Sequence, residues 1–184
     1  ENGRYRLVGN ATPRMNLRDT KTSYYDMMWP LDIHKQARML PKNIAIIAGA
    51  KSSGKSAMML NIALMNRHKH KVRYLSSEMA DTELRFRLDQ FKDMDGSPLP
   101  ISTWDDVEFY YRSSDFPDMI LPDGLNIIDF MEVHDNFWLI GKMIKAVFDK
   151  LDNGVAVIGI QKARGKLFGR GAEFTQEKAR IYVS

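Results

Sequence analysis

The run Gly49-Ala50-Lys51-Ser52-Ser53-Gly54-Lys55-Ser56 sets two glycines, a lysine and a hydroxyl at the spacing G-x-x-x-x-G-K-[ST]. The chemistry this pattern suits is the holding of a polyphosphate. Backbone N–H groups in a curved loop and at the head of a helix donate to phosphate oxygens, the lysine adds a positive charge, and the hydroxyl can share a magnesium ion. Glycine at the two fixed positions lets the backbone approach the phosphates with no Cβ in the way. The loop works only between a strand and a helix; residues 43–48 read as a buried strand and 56–67 as a helix. The competing reading is a surface turn rich in Gly, Ser and Lys. We expect all eight residues to bind ATP, with Lys55 on the β- and γ-phosphates and Ser56 on Mg2+.

Hydrolysis of a triphosphate needs a second metal-holding group and a carboxylate that can activate water. Asp129 closes the apolar run Leu125-Asn126-Ile127-Ile128 and is the candidate for the metal. Glu132 is a weaker candidate for the same role. Glu78 ends the run Val72-Arg73-Tyr74-Leu75-Ser76-Ser77 and is the candidate catalytic carboxylate, with a capping or salt-bridged Glu as the alternative. Gln161 ends another apolar run and could sense the γ-phosphate by hydrogen bonding, or serve as a structural amide. Directly after it comes a basic, glycine-bearing loop with Lys162, Arg164, Lys166 and Arg170.

These groups meet only if the elements carrying them share an edge. The chain alternates apolar strand-like runs with amphipathic helical ones: strands near 43–48, 72–79, 107–112, 125–129, 154–161 and 179–183, and helices near 56–67, after Asp81, and from Asp135-Asn136 to Leu151. Asp81 is expected to cap its helix, and residues 31–40 read as one short helix. The fold class that follows is α/β, with a mostly parallel sheet covered by helices on both faces. Ligands of such sheets lie at the carboxyl ends of the strands. That rule brings the loop at Gly49, Glu78, Asp129 and Gln161 together.

Residues 1–30 show no periodicity and read as an amino-terminal arm or linker, with the core in 31–184. Within the arm, Tyr24-Tyr25-Asp26-Met27-Met28-Trp29 is apolar enough to need cover, from its own domain or from a neighbouring subunit. The 184 residues suit one domain. No cysteine is present, which excludes disulfides, thiolate metal sites and cysteine nucleophiles. No apolar run approaches the length of a membrane span and no leader is visible, so no membrane partner and a cytoplasmic location are expected.

Net charge is +4, unevenly spread. Nine acids stand between Asp105 and Asp135 against Arg112 alone, whereas between Lys162 and Arg180 six bases face Glu173 and Glu177. Such asymmetry suits an edge that meets a polyanion, or else simple solvated charge.

Taken in order, the phosphate loop, Tyr74-Leu75-Ser76-Ser77-Glu78-Met79 followed by Glu83-Leu84-Arg85-Phe86-Arg87-Leu88, Ile127-Ile128-Asp129-Phe130 and Ile158-Gly159-Ile160-Gln161 resemble the RecA-type ATPase core of DnaB-like replicative helicases of phage or mobile-element type. The likeness covers roughly residues 30–184, and S-x-E-M followed by E-L-x-x-R is its most specific part. It implies a homo-oligomeric, hexameric ring with ATP between subunits, moving on single-stranded DNA. It puts Glu78 as catalytic carboxylate, Asp129 on Mg2+, Gln161 as sensor, and Lys162, Arg164, Lys166 and Arg170 on a loop facing DNA, where Phe168 could stack on a base. The family's amino-terminal domain and its later hairpin, which reaches the neighbour's ATP site, have no counterpart in these residues; further carboxyl-terminal strands are expected. Competing readings are a recombinase-like or regulatory ATPase without unwinding activity, a P-loop kinase, and a non-catalytic nucleotide-dependent assembly protein.

Overall fold

The computed structural model describes residues 15–20, 22–131 and 139–184. Glu132 and Asp135-Asn136, invoked above as a weak metal candidate and a helix cap, lie outside them. Six strands form one sheet: β1 (Ile44–Gly49), β2 (Val72–Ser76), β3 (Val107–Tyr111), β4 (Leu125–Met131), β5 (Val155–Gln161) and β6 (Ala179–Val183). Their order is β3-β2-β4-β5-β1-β6, and every pairing is parallel. The α/β sheet expected from the sequence is therefore what the chain builds. Helices α2 (Lys55–Asn66), α3 (Asp81–Leu88) and α4 (Leu139–Lys150) connect its strands.

Parallel strands buried on both faces read as unbroken apolar runs, because each alternate side chain finds a different core. In β1, Ala45 and Ile47 pack with Met59, Leu60, Ile62 and Ala63 of α2, while Ile44, Ile46 and Ala48 face the core that holds Ile140, Ile144 and Val147 of α4. Strand β4 repeats the division, with Leu125 and Ile127 on the α2 side and Ile128 on the α4 side. One step further along, the alternation returns Asp129 to the face of α2.

Two local readings are corrected. The expected helix over 31–40 is only α1 (Ile33–Gln36), entered through a 3-10 turn at Pro30–Asp32. Leu31 and Asp32 take left-handed φ values of 58° and 56°, which breaks the helical run its composition suggested. Asp81 is the first residue of α3 rather than its cap; Ala80 holds the cap position and offers no side-chain bond.

The apolar stretch before Pro30 finds its cover on its own domain. Met27 and Trp29 are buried in the α2-side core. Asn66, at the end of α2, accepts the Met28 N–H through Oδ1 and donates through Nδ2 to Met28 O, both at 2.8 Å. Burial of a methionine such as Met27 is worth about 1.5–3 kcal/mol, enough to hold a short segment down once the amide has fixed its backbone.

Candidate active site

The carboxyl ends of the strands do converge. Gly49 is in register with Gln161, and Ser76 with Asp129. A cleft of about 920 Å³ opens over this edge, and Lys55, Ser56, Glu78, Arg87, Phe130 and Gln161 all contribute to its lining.

The phosphate loop leaves β1 at Gly49 and enters α2 at Lys55. A Cβ on Gly49 would lie 2.2 Å from Ser53 Oγ and 2.8 Å from Lys55 Cγ, so the loop folds over this position only because it is glycine. Gly54 takes φ +87° as the residue before the helix, and Ser52 also turns left-handed at φ 61°. This geometry aims the first N–H groups of α2 outward with no side-chain cap on them. Lys55 Nζ donates to Ala50 O at 2.9 Å and stands 5.7 Å from the centre of the Phe130 ring. Desolvation lowers the Lys55 pKa, against the opposing pull of the Asp129 and Glu78 charges. Both carboxylates therefore act on the lysine that the sequence singled out.

Asp129 is 2% exposed, a buried carboxylate rather than a solvated one. Ser56 donates from Oγ to its Oδ1 at 3.1 Å, and Tyr74 donates its hydroxyl to Oδ2 at 2.5 Å. Burial raises the Asp129 pKa, opposed by the Tyr74 and Ser56 hydrogen bonds and by the Lys55 charge. The same burial, with the carboxylate beside it, raises that of Tyr74 well above a normal phenol. Ser77 ties the two strand ends together. Its N–H donates to Asp129 O at 2.9 Å, its hydroxyl to Phe130 O at 2.8 Å, and its Oγ accepts the Phe130 N–H at 3.1 Å. The β4–β5 pairing lapses after Ile128 and resumes at Met131, and within that gap Phe130 bonds to Ser77 instead.

Ser56 Oγ and Asp129 Oδ1 offer two hard oxygen donors at one point, the donor type Mg2+ takes. No group of three or more His, Cys, Asp or Glu able to hold a metal occurs among the described residues. The donor set thus fits a metal that keeps much of its shell from phosphate and water.

Glu78 is exposed at the cleft rather than sunk in the core. Gln161 is partly buried in the same cleft, and its carbonyl accepts the Arg170 N–H at 2.8 Å. The basic loop is sewn to the phosphate loop by one further bond, Lys162 N–H to Gly49 O at 3.0 Å. Lys162 and Arg164 help to line a second hollow, of about 360 Å³, on the β6 side of the phosphate loop. Arg164, Lys166 and Arg170 are exposed, and none of the four bases has an ion-pair partner among the described residues. Phe168 is 40% exposed and packs edge-on to Tyr182.

Tyr74, Ser77 and Arg87 went unassigned in the sequence. A signal existed for Tyr74: a tyrosine on the α2 face of a central strand must satisfy its hydroxyl, and Asp129 lies on that face of the adjacent strand. Arg87 closes the E-L-x-x-R run singled out above, which marks the residue but gives it no role; for Ser77 nothing short of coordinates shows the bond.

No family model matches the chain, and no curated protein matches it. Solved structures do. The chain is similar to a DnaB-like replicative helicase, solved with regard to its interactions with primase, at 18% identity and a TM-score of 0.48 over 68% of this chain and 40% of that one. It is also similar to the flagellar accessory protein FlaH from Methanocaldococcus jannaschii, at 13% identity and a TM-score of 0.46 over 71% of this chain and 66% of that one. The chain thus spans less than two thirds of the length of either, and at these scores neither likeness bears weight for function.

Proposed function

We propose that this chain is the ATP-binding and ATP-hydrolysing core of a RecA-type motor of the DnaB-like replicative helicase kind, acting on single-stranded DNA as a homo-oligomeric ring. The observation that carries the nucleotide reading is the Ser56–Asp129 pair, 3.1 Å apart at the head of α2, in a cleft shared with Lys55, Glu78 and Gln161. A surface turn would have no reason to set the first turn of a helix against a buried carboxylate.

Bound Mg2+–ATP supplies the electrophilic phosphorus and partial neutralisation of the phosphate charge. The backbone N–H groups from Gly49 to Ser56 hold the phosphates, and Lys55 leaves Ala50 O to neutralise the distal ones. Ser56 and Asp129 hold the metal, and Tyr74 keeps the carboxylate turned toward it. Glu78, exposed in the cleft, accepts the proton of the attacking water. Gln161 reads the phosphate end, and its backbone contact with Arg170 links it to the basic loop. The helicase reading is supported by the S-x-E-M and E-L-x-x-R motifs and by Lys162, Arg164, Lys166 and Arg170, which are free to meet phosphates without reading bases.

The test is Mg2+-dependent ATP turnover with and without single-stranded DNA. Glu78→Gln is expected to lower turnover by about 10²–10⁴-fold while nucleotide binding persists; unchanged turnover would remove Glu78 from the role. Lys55→Ala is expected to abolish binding, and normal affinity in that variant would defeat the phosphate-loop reading. Stimulation by single-stranded DNA together with separation of a forked duplex supports the helicase. Turnover that ignores DNA points to a regulatory ATPase.

A further inference from the structure

Helix α3 carries two arginines paired alike. Arg85 Nε donates to Asp89 Oδ1 at 2.9 Å, and Arg87 Nη2 to Glu83 Oε1 at 2.8 Å. Both pairs are four residues apart, and all four side chains are close to half exposed. Both are exposed surface pairs of one helix, but their positions differ. Glu83 and Arg87 line the phosphate cleft, and Arg85 and Asp89 do not. The Arg87 charge acts on buried Asp129 and Tyr74, favouring their ionised forms.

We propose that Arg87 is a phosphate-contacting residue of this cleft, parked on Glu83 and transferred to the distal phosphates of a bound nucleoside triphosphate. The proposal rests on the nucleotide reading above. Three features carry it. Arg87 is a cation in a cleft that also holds Lys51, Lys55 and the open head of α2, all on the side where phosphates would lie. Its parking place is poor: both contacts, Nη2 at 2.8 Å and Nε at 3.3 Å, go to one carboxylate oxygen, so the two-oxygen fork that arginine prefers is not formed. An exposed pair on one helix is also weak, so little is lost on leaving it. A phosphate, by contrast, offers several oxygens to the planar guanidinium. Glu83 then acts as the competitor that holds Arg87 at the cleft wall until a triphosphate outbids it.

Calorimetric titration of the full chain with Mg2+ and either ADP or a non-hydrolysable ATP analogue tests this. Arg87→Ala is expected to weaken the analogue by about tenfold, the worth of one charge-assisted hydrogen bond, and ADP by much less. Arg87→Lys should recover part of the loss. Glu83→Gln should tighten the analogue by roughly threefold, since one weak exposed pair no longer competes, and this gain should vanish when Arg87→Ala is added. Arg85→Ala, which breaks the twin pair, should leave both affinities unchanged. If wild-type protein binds both nucleotides and Arg87→Ala keeps the same ratio of analogue to ADP affinity, or if Glu83→Gln weakens both alike, the proposal is overturned alone. If wild-type protein binds neither, the nucleotide reading falls and takes this proposal with it.

Discussion

The Asp129 corner and the basic loop at 162–171 both adjoin the phosphate loop, yet they are built in opposite ways. At the corner every polar group is engaged: Asp129 accepts from Ser56 and Tyr74, and Ser77 stitches its backbone to β2. In the basic loop the charged side chains have no ionic partner among the described residues, and backbone bonds such as Lys162 N–H to Gly49 O hold it in place. A buried, saturated cluster resists reorientation, because each group that turned away would leave another unpaired. An exposed loop with unpaired bases can adapt to an irregular polyanion at little cost. The difference suits the roles proposed above, positioning for the corner and contact with a long phosphate backbone for the loop. The acidic stretch sharpens the point: Glu108 is paired with Lys71 and Arg73, and Asp106 lies against His68. Those charges are spent within the molecule, whereas those of the basic loop are available.

The largest effect is expected at the corner. Asp129→Ala removes the carboxylate proposed for Mg2+ and strands the buried Tyr74 hydroxyl. ATP turnover should fall by about 10²–10³-fold, as when a preorganised charge-stabilising group is lost. Unfolding in urea should also show a loss of about 1–3 kcal/mol from the unsatisfied partner. A variant with normal turnover would break the assignment of positioning to this corner.

Next in size is the simultaneous change of Lys162, Arg164, Lys166 and Arg170 to Ala. At about 0.7 of a unit per phosphate on single strands, the slope of log affinity against log salt should flatten by up to about 3. Stability should hardly move, since no ion pair is broken. If the slope stays the same while affinity falls, the loop acts through the fold rather than by contact.

Tyr74→Phe discriminates more finely. It keeps the ring in the core and removes only the bond to Oδ2. Loss of a group that orients a metal ligand commonly costs about 10–100-fold in metal affinity, so the Mg2+ concentration for half-maximal turnover should rise by that order. Nucleotide binding without metal should be unaffected. A change in both would mean that Tyr74 supports the fold and not the carboxylate's aim.

The same contrast explains what the sequence disclosed. The sheet was legible because apolar runs such as 155–160 have no other home, and the phosphate loop because its spacing is dictated by backbone geometry. Gln161 was legible as a strand end, and Asp129 and Glu78 as lying near one, since a parallel sheet gathers such ends at one edge; β4 runs on past Asp129 to Met131, and β2 stops at Ser76, short of Glu78. What stayed hidden were bonds between elements distant in the chain. Tyr74 meets Asp129 across 55 positions, and Ser77 meets Phe130 across 53. The short helix α1 was misjudged because composition does not reveal the left-handed turn at Leu31 and Asp32.

The smallest effect concerns the place where the two regions touch. Tyr182 of β6 accepts the Gly169 N–H at its hydroxyl at 2.8 Å and lies 3.1 Å from Thr175 Oγ1, so a single phenol anchors the far end of the basic loop. Gly169 is itself fixed there, because a Cβ would stand 2.6 Å from Ile160 Cγ2. Tyr182→Phe keeps the ring against Phe168 and deletes only the anchor. Stability should drop by about 0.5–1.5 kcal/mol, the usual worth of such a bond. The salt slope of DNA binding should stay as in the wild type, because the four bases remain. Affinity itself should fall by no more than a few-fold, as a looser loop gives up some order on binding. A slope that flattened as much as in the fourfold variant would show that the loop must be held rigid to meet its polyanion, and the contrast between a fixed corner and an adaptable loop would then be lost.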